Sequence, residues 1–152
     1  MKKKVFFGAM IFIFCFFPPL RAEVVKEISP DGTLTLDSGE KVTLAGILMD
    51  VEGISVLKAL AGKQNVRFEK VPILEEQSRA LAFVFLEAKS VKFPSQASGA
   101  ADAEEVMLNE LLLKIGAARV AENQTFTAKE RFLQLQQIAM KKGDGIWSYE
   151  GS

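Results

Sequence analysis

The sequence contains no histidine, and its one cysteine, Cys15, lies in the first apolar run. Without imidazole there is no His general base, no Ser–His or Cys–His nucleophile, and none of the common zinc sites. With cysteine confined to that run, the rest of the chain forms neither a disulfide nor a thiolate metal site. A metal would have to be held by oxygen alone, which restricts the choice to hard cations such as Ca²⁺ or Mg²⁺. An excess of positive charge is also missing, since 19 Lys and Arg balance 19 Asp and Glu. A protein that grips nucleic acid by its phosphates usually carries a basic surplus. The one long apolar run, Val5 to Phe17, is too short for a comfortable membrane span.

That run has a different explanation. Lys2, Lys3 and Lys4 precede it, and Pro18-Pro19-Leu20-Arg21-Ala22 follows. This is the pattern of a secretory signal peptide, with cleavage expected after Ala22. Leu20 is larger than such sites prefer, and an uncleaved leader would act as an N-terminal membrane anchor. Cys15 sits in mid-run, which argues against a lipid-modified cysteine. The expected organisation is a signal peptide over 1–22 and one domain over 23–152, secreted or periplasmic. Lys2, Lys3, Lys4 and Arg21 leave with the leader and no acid does, so 15 basic residues then face 19 acidic ones, a net charge of −4. The roughly 130 residues that remain can bury a proper core without staples.

The mature chain opens with short strands. Val24 to Ile28 is followed by the tight turn Ser29-Pro30-Asp31-Gly32, then by the alternating Thr33-Leu34-Thr35-Leu36. Asp37-Ser38-Gly39 turns the chain into a third strand, Lys41 to Ile47, and the three form a meander. Glu52 to Leu60 has helical spacing and stops at Gly62. Asn65 to Glu69 and Leu81 to Leu86 supply a fourth and a fifth strand. Lys89 to Glu105 is small and polar around Pro94–Ala101, and reads as a flexible insertion that turns helical from Asp102. Leu108, Leu111, Leu112 and Ile115 mark a helix ending at Gly116, and Ala117 to Val120 is a connector. Thr127-Ala128-Lys129-Glu130 fits a capping box for a last helix that ends at Gly143, and Ile146-Trp147 closes the chain as an apolar clasp. The fold class is α+β, mainly β: a five-stranded barrel of the oligonucleotide-binding (OB) type with three helices.

The stretch Glu40 to Gly53 concentrates the functional question. It begins as a strand, and Gly46 disturbs the alternation, which indicates a bulge or a close backbone approach. Asp50 and Glu52 then bring acid to the strand's exit, where a small barrel has room for a site. Six of the twelve phenylalanines belong to the leader, so the remaining six and Trp147 read as core rather than as a base-stacking platform.

Several segments in this order resemble the thermonuclease (staphylococcal nuclease-like) family. Lys41-Val42-Thr43-Leu44-Ala45-Gly46-Ile47 resembles its third strand, and Ser78-Arg79-Ala80-Leu81-Ala82-Phe83-Val84 its G-R-x-L-A-Y-V. Leu108-Asn109-Glu110-Leu111-Leu112, Gly116-Ala117-Ala118-Arg119-Val120 and Gly145-Ile146-Trp147 resemble its V-N-E-x-L-L, G-x-A-R-V and closing G-I-W. The resemblance implies the barrel with three helices. It also implies Ca²⁺-dependent cleavage of DNA and RNA, using clustered carboxylates, a glutamate that sets up water, and two arginines.

Carried over position by position, most of that chemistry is lost. Gly32 stands where the first metal carboxylate belongs, with Asp31 one residue early. Thr43 replaces the first arginine, Leu48 the second carboxylate and Val51 the glutamate; only Arg79 matches. Two readings follow for the acids. Asp31, Asp50 and Glu52 could form a displaced oxygen cluster for Ca²⁺ beside Arg79. Alternatively, Asp31 belongs to an ordinary turn, Asp50 and Glu52 sit at a helix N-terminus where they favour its dipole, and Arg79 pairs with Glu75 or Glu76. The favoured expectation is a catalytically degenerate thermonuclease-like domain with no cofactor, serving as a binding or interaction module for an unknown protein or small ligand. The alternatives are a Ca²⁺-dependent nuclease with a displaced site, and a nucleic-acid binder without cleavage, which the −4 charge disfavours.

Overall fold

A computed structural model describes residues 22–71, 80–91 and 104–149. Residues 1–21 of the leader, the connection holding Glu75, Glu76 and Arg79, and the Pro94–Ala101 run lie outside these residues.

The opening meander forms as expected: β1 (Glu23–Ile28), β2 (Leu34–Leu36) and β3 (Lys41–Leu44) are antiparallel neighbours. Val25, Leu34, Leu36, Val42 and Leu44 point inward and are at most 1% exposed, which satisfies the period-two pattern of these strands. A helix, α1 (Val51–Ala61), then leads to β5 (Asn65–Lys70) and β6 (Ala80–Glu87). β5 pairs with β1 and β6, and β6 returns parallel to β3 with Val42 opposite Ala80 and Leu44 opposite Ala82. The five strands β1, β2, β3, β6 and β5 thereby close into a mixed barrel, and closure removes the unpaired edges an open sheet would leave.

The third strand is shorter than its sequence pattern predicts. The chain turns at Ala45-Gly46, and Ile47–Leu48 becomes a separate strand, β4, off the barrel. Gly46 has φ 75°, and a Cβ there would lie 2.5 Å from the Phe126 ring. Both the backbone conformation and the crowding require glycine at this point.

Three further expectations are corrected. The end of the insertion read over 89–105 does not turn helical where it is described: Glu105 begins a strand, β7 (Glu105–Met107). β7 pairs with the last residues of β6, and the Arg67 guanidinium donates to both Glu105 carboxylate oxygens across β6. Pairing between distant segments creates this strand, so no local periodicity announces it. The supposed connector Ala117–Val120 contains β8 (Arg119–Val120), which pairs antiparallel with β4. The capping box does not form either. Ala128 is the N-cap of the last helix and makes no side-chain cap bond, while Lys129 Nζ donates to the Gln124 carbonyl at 3.0 Å.

Helices α2 (Leu108–Lys114) and α3 (Lys129–Lys142) pack together against the barrel. Leu108, Leu111, Leu112, Leu113 and Phe132 are buried there. Each such side chain contributes about 1.5–3 kcal/mol relative to exposure. Phe132 meets Phe83 edge-on with centroids 6.0 Å apart, and Phe126 at 5.1 Å. Gly143 ends α3 in the left-handed conformation. A 3₁₀ turn over Gly145–Tyr149 then clasps the body: Ile146 N donates to the Gly116 carbonyl at 2.9 Å, and Trp147 is buried.

Candidate functional site at the strand exit

The residues after Gly46 are placed by a small set of polar contacts. Asn109, fully buried at the start of α2, donates through Nδ2 to the Ala45 carbonyl at 2.9 Å and the Ala82 carbonyl at 3.2 Å. Its Oδ1 accepts from Val84 N at 3.0 Å. One amide therefore ties the helix layer to β6 and to the turn that ends β3. Gly46 N donates to Gln124 Oε1 at 2.9 Å, and its carbonyl accepts from Ala121 N at 2.9 Å. On the far side, Val120 N donates to Gln136 Oε1 at 2.7 Å, fixing β8 and with it β4.

From this anchored turn the chain runs outward. Ile47 is buried, whereas Leu48 is 57% exposed and Val51 81% exposed. Met49 lies between two glycines: a Cβ on Gly32 would come 3.1 Å from Met49 Cε, and one on Gly53 would come 3.1 Å from Met49 Cβ. The Asp31 turn and the start of α1 are thus neighbours across Met49. Gly53 also presses on β8's approach, since a Cβ there would lie 2.1 Å from the Ala117 carbonyl oxygen. Only glycine lets α1 begin this close to that backbone.

The acids have defined places. Asp50 is the N-cap of α1, and its Oδ1 accepts from Gly53 N at 2.8 Å. That satisfies one of the helix's otherwise unpaired N–H groups. Glu52 is exposed in the first turn of α1, where a negative charge favours the helix dipole. Asp31 Oδ1 accepts from Thr33 N at 3.1 Å, inside the turn closed by Gly32 N and the Ser29 carbonyl. Thr43, in the place of the first arginine of the resemblance, sets its hydroxyl 3.5 Å from that of Thr33. Arg79 lies outside the described residues.

Calcium takes six to eight oxygen ligands, commonly from several carboxylates. Among the described residues, no group of three or more Asp or Glu side chains comes together in a way that could hold a metal ion. Asp31, Asp50 and Glu52 do not form such a group.

Sequence reasoning did not single out Arg119 as a site residue. It is the register partner of Leu48, and its guanidinium lies 4.6 Å from the centroid of the Trp147 ring. The β4–β8 pairing brings it here, and that pairing has no signature in either two-residue strand. Trp147 Nε1 is buried beneath it without a hydrogen-bond partner among the described residues. The clearest electrostatic effects lie elsewhere, on the outer face of β5, β6 and β7. The Arg67 hydrogen bond holds the Glu105 carboxyl below its ordinary value, partly offset by burial. Arg67 itself also lies 3.9 Å from the centroid of the Phe85 ring.

The family model described as staphylococcal nuclease homologue matches residues 52–149. No curated protein matches the chain. Among the described residues, no helix is long and apolar enough to cross a membrane.

Proposed function

Because the chain belongs to the staphylococcal nuclease homologue family, we propose that it is an exported thermonuclease-like domain whose barrel serves as a binding or interaction module rather than as a nuclease. The observation that carries this reading is the character of the strand exit. Leu48 and Val51 stand solvent-exposed where the family resemblance calls for a metal carboxylate and the water-activating glutamate. Asp50, the acid between them, has one oxygen engaged as a helix cap. A phosphodiester displacement needs stabilisation of charge on the phosphoryl oxygens as it builds. In other enzymes one lost donor of this kind costs about 3–4 kcal/mol of transition-state stabilisation. Here Thr43 removes one such donor from the resemblance, while Leu48 and Val51 remove a metal carboxylate and the water-activating glutamate.

Export rests on the leader pattern of residues 1–22. The partner is a protein or a small ligand at the mouth of the barrel. Nucleic acid is disfavoured by the net charge of −4 that follows removal of the leader.

The test is incubation of residues 23–152 with single-stranded DNA across a Ca²⁺ titration, with Arg79→Ala alongside. The expected result is no Ca²⁺-dependent cleavage by either protein. Cleavage by the parent chain that is lost in Arg79→Ala and in Asp50→Asn would overturn the proposal and assign Asp31, Asp50 and Glu52 to a displaced site.

A further inference from the structure

We draw no further inference here: the strongest candidate, the exposed apolar pair Leu48 and Val51 at the exit of β4, belongs to the site already described, and its rim carries both signs of charge (Asp50, Glu52 and Arg119), so nothing in the structure shows what covers it.

Discussion

The turn at Ala45-Gly46 and the strand exit at Leu48 to Glu52 are only a few residues apart, yet they are held in opposite ways. At the turn, every feature is fixed from several directions: Asn109 on the Ala45 carbonyl, Gln124 and Ala121 on Gly46, and the Phe126 ring against its Cα. At the exit, Leu48 and Val51 project into solvent and fold stability places little demand on their identity. The lesson concerns which positions can change cheaply. The segments that carry the family resemblance contain Gly46, Asn109, Gly116 and Gly145, where another residue would leave buried groups unpaired or collide with backbone or with the Phe126 ring. The positions that the proposed reading takes as lost chemistry include Leu48 and Val51, which are exposed. On the proposed reading the barrel keeps its frame while its chemistry is replaced, because the two are supported by different contacts.

The contrast can be broken most sharply at Asn109. Asn109→Ala leaves Val84 N and the Ala45 carbonyl buried without their partner, and is expected to cost about 3–4 kcal/mol in urea unfolding. A loss under about 1 kcal/mol would mean that the turn is held by something other than this amide. Gly53→Ala comes next. Its methyl group would meet the Ala117 carbonyl, and relief requires α1 to move, at an expected cost of about 2–3 kcal/mol. A neutral result would show that the start of α1 is not pinned against β8.

Smaller effects sharpen the comparison from the exposed side. Arg67 depresses the Glu105 carboxyl, so this pair stabilises the fold above the ordinary glutamate value of 4.5. The contribution is lost as pH falls through the depressed folded value. Because Glu105 is 40% exposed, the effect is expected to stay under about 1 kcal/mol. Comparing the acid limb of the stability–pH curve with that of Arg67→Ala measures it, and identical limbs would remove the pair from the account. Smallest of all, Leu48→Asp at the exit is expected to change stability by no more than about 0.5 kcal/mol. A loss of several kcal/mol would make Leu48 part of the core and erase the distinction between the two regions.

Most of the frame was legible in the sequence, for a physical reason. Alternation in Leu34–Leu36 and Val42–Leu44, helical spacing in Leu108–Leu112, and glycine stops at Gly62 and Gly143 all reflect burial that each segment carries locally. The misread segments depend on partners far away in the chain. β7 exists because Glu105–Met107 finds the end of β6, and β8 because Arg119–Val120 finds β4. Thr127 satisfied a capping pattern, yet the helix starts at Lys129 with Ala128 as cap. At the site, sequence reasoning put Asp50 at the strand exit as either a metal ligand or a solvated acid favouring a helix dipole, and the structure makes it the N-cap of α1. The hydrogen bond to Gly53 supports the cap. Arg119 was invisible as a neighbour of Leu48, because register between two-residue strands is set by tertiary packing.

The most direct test of the central claim is the stability of residues 23–152 in denaturant with and without Ca²⁺. A ligand that binds the folded state alone must stabilise it, by about 2.7 kcal/mol when present at a hundred times its dissociation constant. The account predicts superimposable unfolding curves, because among the described residues no group of three or more carboxylates comes together. A midpoint that rises with Ca²⁺ concentration, and no longer rises in Asp50→Asn, would contradict it and restore the exit as a cation site.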